Sequence, residues 1–267
     1  MRPMGATYLD GILAAHRERV ARDDRAWAER LATLAPHPPR FASDLAAGPR
    51  IAVIAEVKRR SPSKGDLAPN LDAVAIARDY ERGGARAISV LTDRDFFGGS
   101  LEDLASVRAA VDVPLLRKDF LLSPNDLIDA REAGADAVLL IVAALGDEEL
   151  APLIALAGRI GLDALVEVHT LDEIHRALDA GARCIGINQR DLHSFAVDTD
   201  HAGELRRHLP DDVVSVAESG LRDAADVRRA ADLGFDAVLV GEAFVVARDR
   251  RGAVASFAAV ERGGQPC

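Results

Sequence analysis

GGARAISVL (Gly83–Leu91), AGADAVLLI (Ala133–Ile141), AGARCIGIN (Ala180–Asn188) and LGFDAVLVG (Leu233–Gly241) repeat one pattern along the chain. In each, a Gly near the end of a helical segment fits the left-handed cap that stops a helix. A short polar turn follows, then a run that is apolar on both faces, as a strand covered by helices on one side and core on the other must be. Working outward from these four gives candidate strands at 51–57, 87–92, 114–118, 137–142, 164–168, 184–188, 214–218 and 237–241. Helical patterns lie between them, for example at 72–82, 101–110, 147–159, 170–179 and 222–233. Eight alternating β/α units in 267 residues predict an α/β fold of the (β/α)8 TIM-barrel type. An extra N-terminal helix is expected over 7–34, with Leu9, Ile12, Leu13 and Val20 on one face and His37-Pro38-Pro39 as its stop. The rival, an open doubly wound sheet, lacks a G-x-G-x-x-G fingerprint after its first strand. One domain is expected over 1–267, with about 1–48 as a helical extension and about 49–262 as the barrel.

Composition narrows the function. The hydrophobic fraction of 49 % supports a full core and excludes a disordered chain. A net charge of −10 excludes a global basic footprint for nucleic acid. An anionic ligand would have to be drawn by a local cluster, for which Lys58, Arg60, Lys64 and Lys118 are the candidates. Cys184 and Cys267 are the only cysteines, too few for a disulfide framework or a Cys-rich metal site, so a reducing cytoplasm is expected. No apolar run approaches the ~20 residues of a membrane span, and the N-terminus lacks a signal-type apolar core.

Barrels of this type place their chemistry at the C-terminal ends of the strands. Those ends read Glu56 and Lys58, Thr92, Lys118, Glu167, Asn188 and Arg190, Ser219, then Gly241. Glu56 and Lys58 are two apart on one strand and share a face, so they form either a structural ion pair or part of a site. Lys118 follows an apolar run, and a second ammonium in the same pocket would depress its pKa toward acid–base work near neutrality. Glu167 points opposite to Val166 and Val168 and needs a cation, with Lys118, Lys58 and Arg190 as candidates. His169 is expected to face away from Glu167 and to cap or contact the next helix. AESGL (217–221) and VLVGEAF (238–244) end strands seven and eight, where Gly220 and Gly241 would let backbone N–H groups reach a phosphate. SPSKG (61–65) reads as a turn or as a lid adding Ser61 to that site. Phe96, Phe97 and Phe120 are either core or the wall of an aromatic substrate.

The motifs AEVKRRSPSKG, VLTDRDFFGGS, LLRKDF, LVEVHT, IGINQRDL and AESGL together resemble the indole-3-glycerol phosphate synthase family, in its order and over nearly the whole chain. The resemblance implies a carbon–carbon lyase of tryptophan biosynthesis, a carboxy-lyase acting on 1-(2-carboxyphenylamino)-1-deoxyribulose 5-phosphate with loss of CO2 and water. It implies no cofactor and no metal. By the match, Lys118 is the general acid and Glu167 assists proton transfer in the dehydration. Lys58 holds the substrate carboxylate with Glu56 as its partner, Asn188 binds a hydroxyl and Arg190 orients Glu167. Ser61, Ser219, Gly220, Gly241 and Glu242 line the phosphate, while Pro62, Phe97, Phe120 and Leu139 wall the anthranilate ring. The partner implied is a small anionic phosphosugar, with no nucleic acid or membrane, and the chain is expected as a monomer, a weak homodimer being the alternative. Three positions depart from the family: Glu242 where Ser is common, His16 where the first helix often has Lys, and Gln189 where Asn is frequent. A phosphosugar isomerase and a non-catalytic phosphate-binding barrel remain alternatives, separated from a lyase by whether an indole is produced.

Overall fold

The computed structural model describes residues 8–35, 37–61, 65–190 and 199–263; Pro62, Lys64 and Cys267 lie outside them. Eight parallel strands close into a barrel. They are β1 (Ala52–Val57), β2 (Ala87–Leu91), β3 (Leu115–Lys118), β4 (Ala137–Ile141), β5 (Asp163–Val168), β6 (Cys184–Asn188), β7 (Val214–Glu218) and β8 (Ala237–Val240). Closure is made by β1, which pairs with β8 through Ala52↔Ala237 and with β2 through Ile54↔Ala87. Each strand lies within a residue or two of its expected span. β1, β2, β4 and β8 are buried along their whole length, as two-sided coverage requires.

The helices are α1 (Tyr8–Ala21), α2 (Trp27–Thr33), α3 (Phe41–Ala46), α4 (Ala73–Arg82), α5 (Leu101–Arg108), α6 (Pro124–Glu132), α7 (Asp147–Arg159), α8 (Leu171–Asp179), α9 (Thr199–Arg206), α10 (Ala224–Asp232), α11 (Glu242–Val245) and α12 (Arg250–Ala258). The four quoted repeats are α4–β2, α6–β4, α8–β6 and α10–β8. In each, the expected Gly is left-handed: Gly84, Gly134, Gly181 and Gly234 have φ of 92°, 87°, 88° and 85°. The next residue closes a six-residue ring back onto the helix, as in Ala85 N–H to Tyr80 O (3.0 Å) and Phe235 N–H to Ala230 O (3.1 Å). In two repeats the residue before the strand is Asp, and its side chain takes the N–H of a residue in the neighbouring strand. Asp136 accepts from Leu115 N and Asp236 from Ser215 N, both at 2.9 Å.

The expected helix over 7–34 is two helices. The break at Arg22–Ala26 has a local cause: Asp23 accepts the backbone N–H of Arg25 (3.1 Å) and, in bidentate fashion, its Nε and Nη2 (2.8 and 2.6 Å). Such an aspartate competes with helical hydrogen bonding. Arg25 also pairs with Asp129 of α6 at 2.8 Å, so the bend is fixed to the barrel. Phe41 and Leu45 of α3 join the same apolar cluster as the strands. No helix among the described residues is long and apolar enough to cross a membrane.

Asp136 holds the extension to the barrel floor. It is 2 % exposed and accepts from Arg40 Nε (3.0 Å), His37 Nε2 (3.2 Å) and Arg108 Nη1 (3.0 Å) besides Leu115 N. Asp136→Ala is expected to cost roughly 3–5 kcal/mol, because it leaves part-buried guanidinium groups and a strand N–H without their acceptor. Chemical denaturation checks this. Turnover per folded molecule should stay near normal, since Asp136 lies at the opposite end of the barrel from the strand ends described next.

Candidate active site

Alternation along the strands turns Glu56, Lys118, Glu167, Asn188 and Glu218 into the barrel at its C-terminal mouth. Lys118 is the centre of this group. Its ammonium donates to Glu218 Oε2 at 2.9 Å and to Glu167 Oε2 at 3.3 Å. Asn188 Nδ2 donates to the other oxygen of Glu167 at 3.1 Å. The orientation of that amide is fixed from behind, since Asn188 Oδ1 accepts Ser219 Oγ (2.9 Å) and the backbone N–H of Arg190 (3.0 Å). Beside this group, Lys58 Nζ lies 2.5 Å from Glu56 Oε1. A serine hydroxyl, an amide, two carboxylates and an ammonium thus form one polar line across β7, β6, β5 and β3.

The depressed pKa expected for Lys118 is not what the surroundings produce. Burial alone would lower it, but the carboxylates of Glu218, Glu167 and Glu56 outweigh burial and hold it above the ordinary lysine value. The expectation counted the neighbouring ammonium and missed the number of carboxylates. Glu167 and Glu218 part in opposite directions. Burial pushes both upward; at Glu167 the charges of Lys118 and His169 and the Asn188 hydrogen bond reverse this, leaving it below the usual carboxylate range. Burial and the neighbouring Glu167 charge carry Glu218 up to about 7, against the pull of Lys118. Two titratable groups with separated pKa values on one ammonium are equipped to act as base and acid.

Glu218 is a site residue beyond those expected from AESGL, whose Ser219 and Gly220 point to phosphate. The signal was present: Glu218 ends the apolar run of β7 as Glu167 ends that of β5, and it lies in register with Asn188. Gly241 carries a second role beyond its expected one. A Cβ there would overlap Glu56 Oε1 and crowd Lys58 Nζ, so the missing side chain makes room for the ion pair. Gly186 does the same for Glu218 Oε1, an oxygen with no hydrogen-bond partner.

The remaining candidates divide by place. Ser219 and Gly220 have φ of 69° and 75°, and the first is strained for a residue with a side chain. Gly241 is the N-cap of α11, which Glu242 begins. The rings of Phe97 and Phe120 are 6.3 Å apart, and Leu139 is buried on the inner face of β4. Ser61 is buried in a short hairpin of Arg60–Ser61 against Gly65–Asp66. Thr92 leaves the ring: its hydroxyl donates to Asp119 Oδ2 at 2.6 Å and accepts from Arg117 Nε at 3.0 Å. The expected basic cluster is largely neutralised. Lys58 faces Glu56, Arg60 pairs with Asp66 at 2.9 Å, and the adjacent Arg59 pairs with Asp103 at 2.6 Å.

A family model described as "Indole-3-glycerol phosphate synthase" matches residues 9–257. An indole-3-glycerol phosphate synthase of Mycobacteroides abscessus is 51 % identical over 251 residues, covering 94 % of this chain and 92 % of that one. One of Rhodococcus jostii is 49 % identical over 260 residues, covering 97 % and 96 %. Among solved structures, an N-acetylmannosamine-6-phosphate 2-epimerase from Clostridium perfringens superimposes with a TM-score of 0.60 at 15 % identity, covering 78 % of this chain and 93 % of that one. That likeness is one of fold.

The room left at Gly186 can be tested directly. Gly186→Ala should drive the Glu218 carboxylate off Lys118, since the obstructed atom is the far end of a flexible side chain. The barrel is expected to fold, with kcat reduced by an order of magnitude or more, about what a displaced catalytic group costs. Parallel thermal melts and turnover measurements check this; a folded protein at full speed would show that the position of Glu218 is immaterial.

Proposed function

Since the chain belongs to the indole-3-glycerol phosphate synthase family, we propose that this barrel mouth closes, decarboxylates and dehydrates 1-(2-carboxyphenylamino)-1-deoxyribulose 5-phosphate to indole-3-glycerol phosphate. The observation that carries the division of labour is Lys118 held between Glu167 and Glu218. Ring closure joins the aromatic carbon that bears the carboxylate to the ribulose carbonyl carbon. The carbonyl oxygen becomes an alkoxide and needs a proton. Lys118, charged throughout the physiological range, delivers that proton and stabilises the developing charge. Loss of CO2 returns the bonding pair to the ring. Dehydration then expels the new hydroxyl as water. Glu167, ionised, takes the proton released, and Glu218, protonated near neutrality, supplies one to the departing oxygen.

Lys58 holds the substrate carboxylate, freed from Glu56 in proportion, and Asn188 positions a hydroxyl. Arg190 supports the same segment through its N–H to Asn188. The phosphate is held by backbone N–H groups around Ser219–Gly220 and Gly241–Glu242, with the carboxylate of Glu242 turned aside and Ser61 at the rim. Phe97, Phe120 and Leu139 wall the anthranilate ring. The enzyme works without cofactor or metal as one domain and as a monomer in the cytoplasm. Supporting that last reading, Cys184 is a free, buried thiol, and the large apolar side chains exposed among the described residues, Trp27, Leu233 and Val246, sit on separate elements.

Indole fluorescence on substrate addition separates this lyase from a phosphosugar isomerase. Lys118→Met and Glu167→Gln should each lower kcat by at least ~10²-fold, the lower end for a positioned proton-transfer group. Without the Lys118 ammonium, Glu167 and Glu218 can share their site only by taking up protons. The Lys118→Met protein should therefore melt lower at pH 8 than at pH 6 relative to wild type. Near-normal kcat in a folded Lys118→Met protein would move the acid role to Lys58.

Charge accounting gives an independent test. Glu56, Glu167 and Glu218 face Lys58 and Lys118, and the substrate brings a carboxylate and a phosphate. Binding must therefore raise the Glu218 pKa further, and a proton must enter with the ligand. Calorimetry with the ketone-reduced substrate analogue, in buffers of different ionisation enthalpy at about pH 8, should show an uptake approaching one proton. Glu218→Gln should abolish it. Binding with no proton uptake in the wild-type protein would rule this account out.

A further inference from the structure

His169 is the first residue beyond β5 and precedes Thr170, the N-cap of α8. The expectation that it contacts the following helix holds: its backbone N–H donates to Glu173 Oε2 at 2.6 Å, and its Nδ1 lies 3.4 Å from the same oxygen. It does not face away from Glu167, however. Nε2 is 3.6 Å from Glu167 Oε1. Both ring nitrogens are shut off from solvent and have no closer hydrogen-bond partner. A neutral imidazole offers one donor and one lone pair. In either tautomer the lone pair would be turned to a carboxylate oxygen within 3.6 Å. An imidazolium alone presents an N–H to both.

On the reading that Glu167 is the base beside Lys118, we propose that His169 is a positioning residue: held as an imidazolium across Glu167 and Glu173, it keeps Glu167 ionised and leaves the proton of the site to Glu218. Glu167 and Glu218 both touch Lys118, but Glu167 alone has a second cation beside it and an amide donor behind it. This difference accounts for two buried carboxylates on one ammonium behaving oppositely. The charges facing His169 are Glu167 from β5, Glu173 from α8 and, at longer range, Glu218 from β7, with Lys118 as the opposing cation beyond Glu167. Burial works against the charged ring, yet these three carboxylates outweigh it and hold His169 above the ordinary histidine value. A positive His169 also helps a site with three carboxylates to admit an anionic substrate.

The sign of the effect is fixed. Removing the His169 charge raises the pKa of Glu167, so activity that needs Glu167 ionised is lost sooner as pH falls and is unchanged at high pH. His169→Asn keeps a hydrogen-bonding side chain of similar reach without the charge. The acid limb of its kcat/KM profile should move up by about 0.5–1 pH unit, a loss approaching about 3–10-fold on the acid side of that limb with values within about twofold at pH 8.5. A merely structural role would lower activity evenly across pH, or not at all. Labelled-histidine NMR provides a second measurement that needs neither the variant to fold nor the enzyme to turn over. In the wild-type protein the His169 titration midpoint should lie above that of an exposed histidine, and it should fall in both Glu167→Gln and Glu173→Gln. A superimposable pH profile, or a His169 midpoint at or below that of an exposed histidine and unmoved by either change, overturns the proposal. Full turnover by Glu167→Gln would instead sink the functional reading of Glu167 and leave the NMR answer on His169 standing.

Discussion

A lysine ammonium removed from water needs carboxylates around it, and the mouth of this barrel is arranged around that need. Lys118 is the last residue of β3 and points into a mouth that it shares with Glu56, Asn188 and two further carboxylates. Glu167 and Glu218 reach it from strands two and four places away around the barrel. The cost of burying an ammonium with two titratable carboxyl groups is offset only by good geometry, which explains why so much nearby structure is committed to holding them. Gly186 and Gly241 give up side chains so that Glu218 and Glu56 fit. Ser219 accepts a positive φ so that its hydroxyl meets Asn188, which then has one orientation left in which to face Glu167. Packing this mouth with hydrophobic residues would make a more stable barrel without chemistry, the usual relation between stability and an active site.

The fold was legible because it rests on local signals repeated several times. A left-handed glycine, a polar residue and an apolar run state where a helix stops and a strand starts, and neither statement depends on distant residues. The apolar face of Leu9, Ile12, Leu13 and Val20 marks a helix but not where it ends; the stop comes from the Asp23 side chain turned back onto Arg25, which the apolar pattern does not register, and Asp129 then fixes the bend. At the site, the strand-end rule picked out Glu56, Lys58, Lys118, Glu167 and Asn188, since parity along one strand says which residues turn inward. Parity does not say what faces a residue across the barrel. The direction in which Lys118 is shifted was therefore inverted, and the acids that occupy Arg59 and Arg60 went unseen. Glu218 carried the same signal as Glu167 but stood inside a motif whose serine and glycine drew the reading toward phosphate.

The same alternation that sends Lys118 inward sends Arg117 and Asp119 outward, and there they build a second buried network. Arg117 Nη2 donates to Asp119 Oδ2 (2.9 Å) and Nη1 to the carbonyl of Asp126 (2.7 Å), and Thr92 lies between the guanidinium and Asp119. From above, α1 lowers His16 onto it: Nε2 is 2.8 Å from Asp93 Oδ2 and 4.0 Å from Asp119 Oδ1. His16, standing where the first helix of the family often has Lys, thus ties α1 to the segment after β2. Asp93 also accepts the N–H groups of Phe96 and Phe97, and the His16 ring lies 5.5 Å from that of Phe120. With each carboxylate oxygen already receiving an N–H, O–H or imidazole contact, this cluster is a clamp whose polar atoms are occupied.

One strand thus belongs to two networks, and the boundary between them is the strand itself. Lys118 answers to the carboxylates inside, while its neighbours on either side are fixed from outside by α1, α6 and the segment after β2. A side chain cannot swing freely when both adjacent residues are tied to separate elements, so the clamp narrows the positions open to the ammonium without touching it. The extension, which adds no strand to the barrel, contributes in this way to the geometry of the mouth. The physical requirement is that of any positioned proton donor: the group that moves the proton must itself be held, and here the carboxylates inside the barrel hold the ammonium while the outer face holds the backbone that carries it.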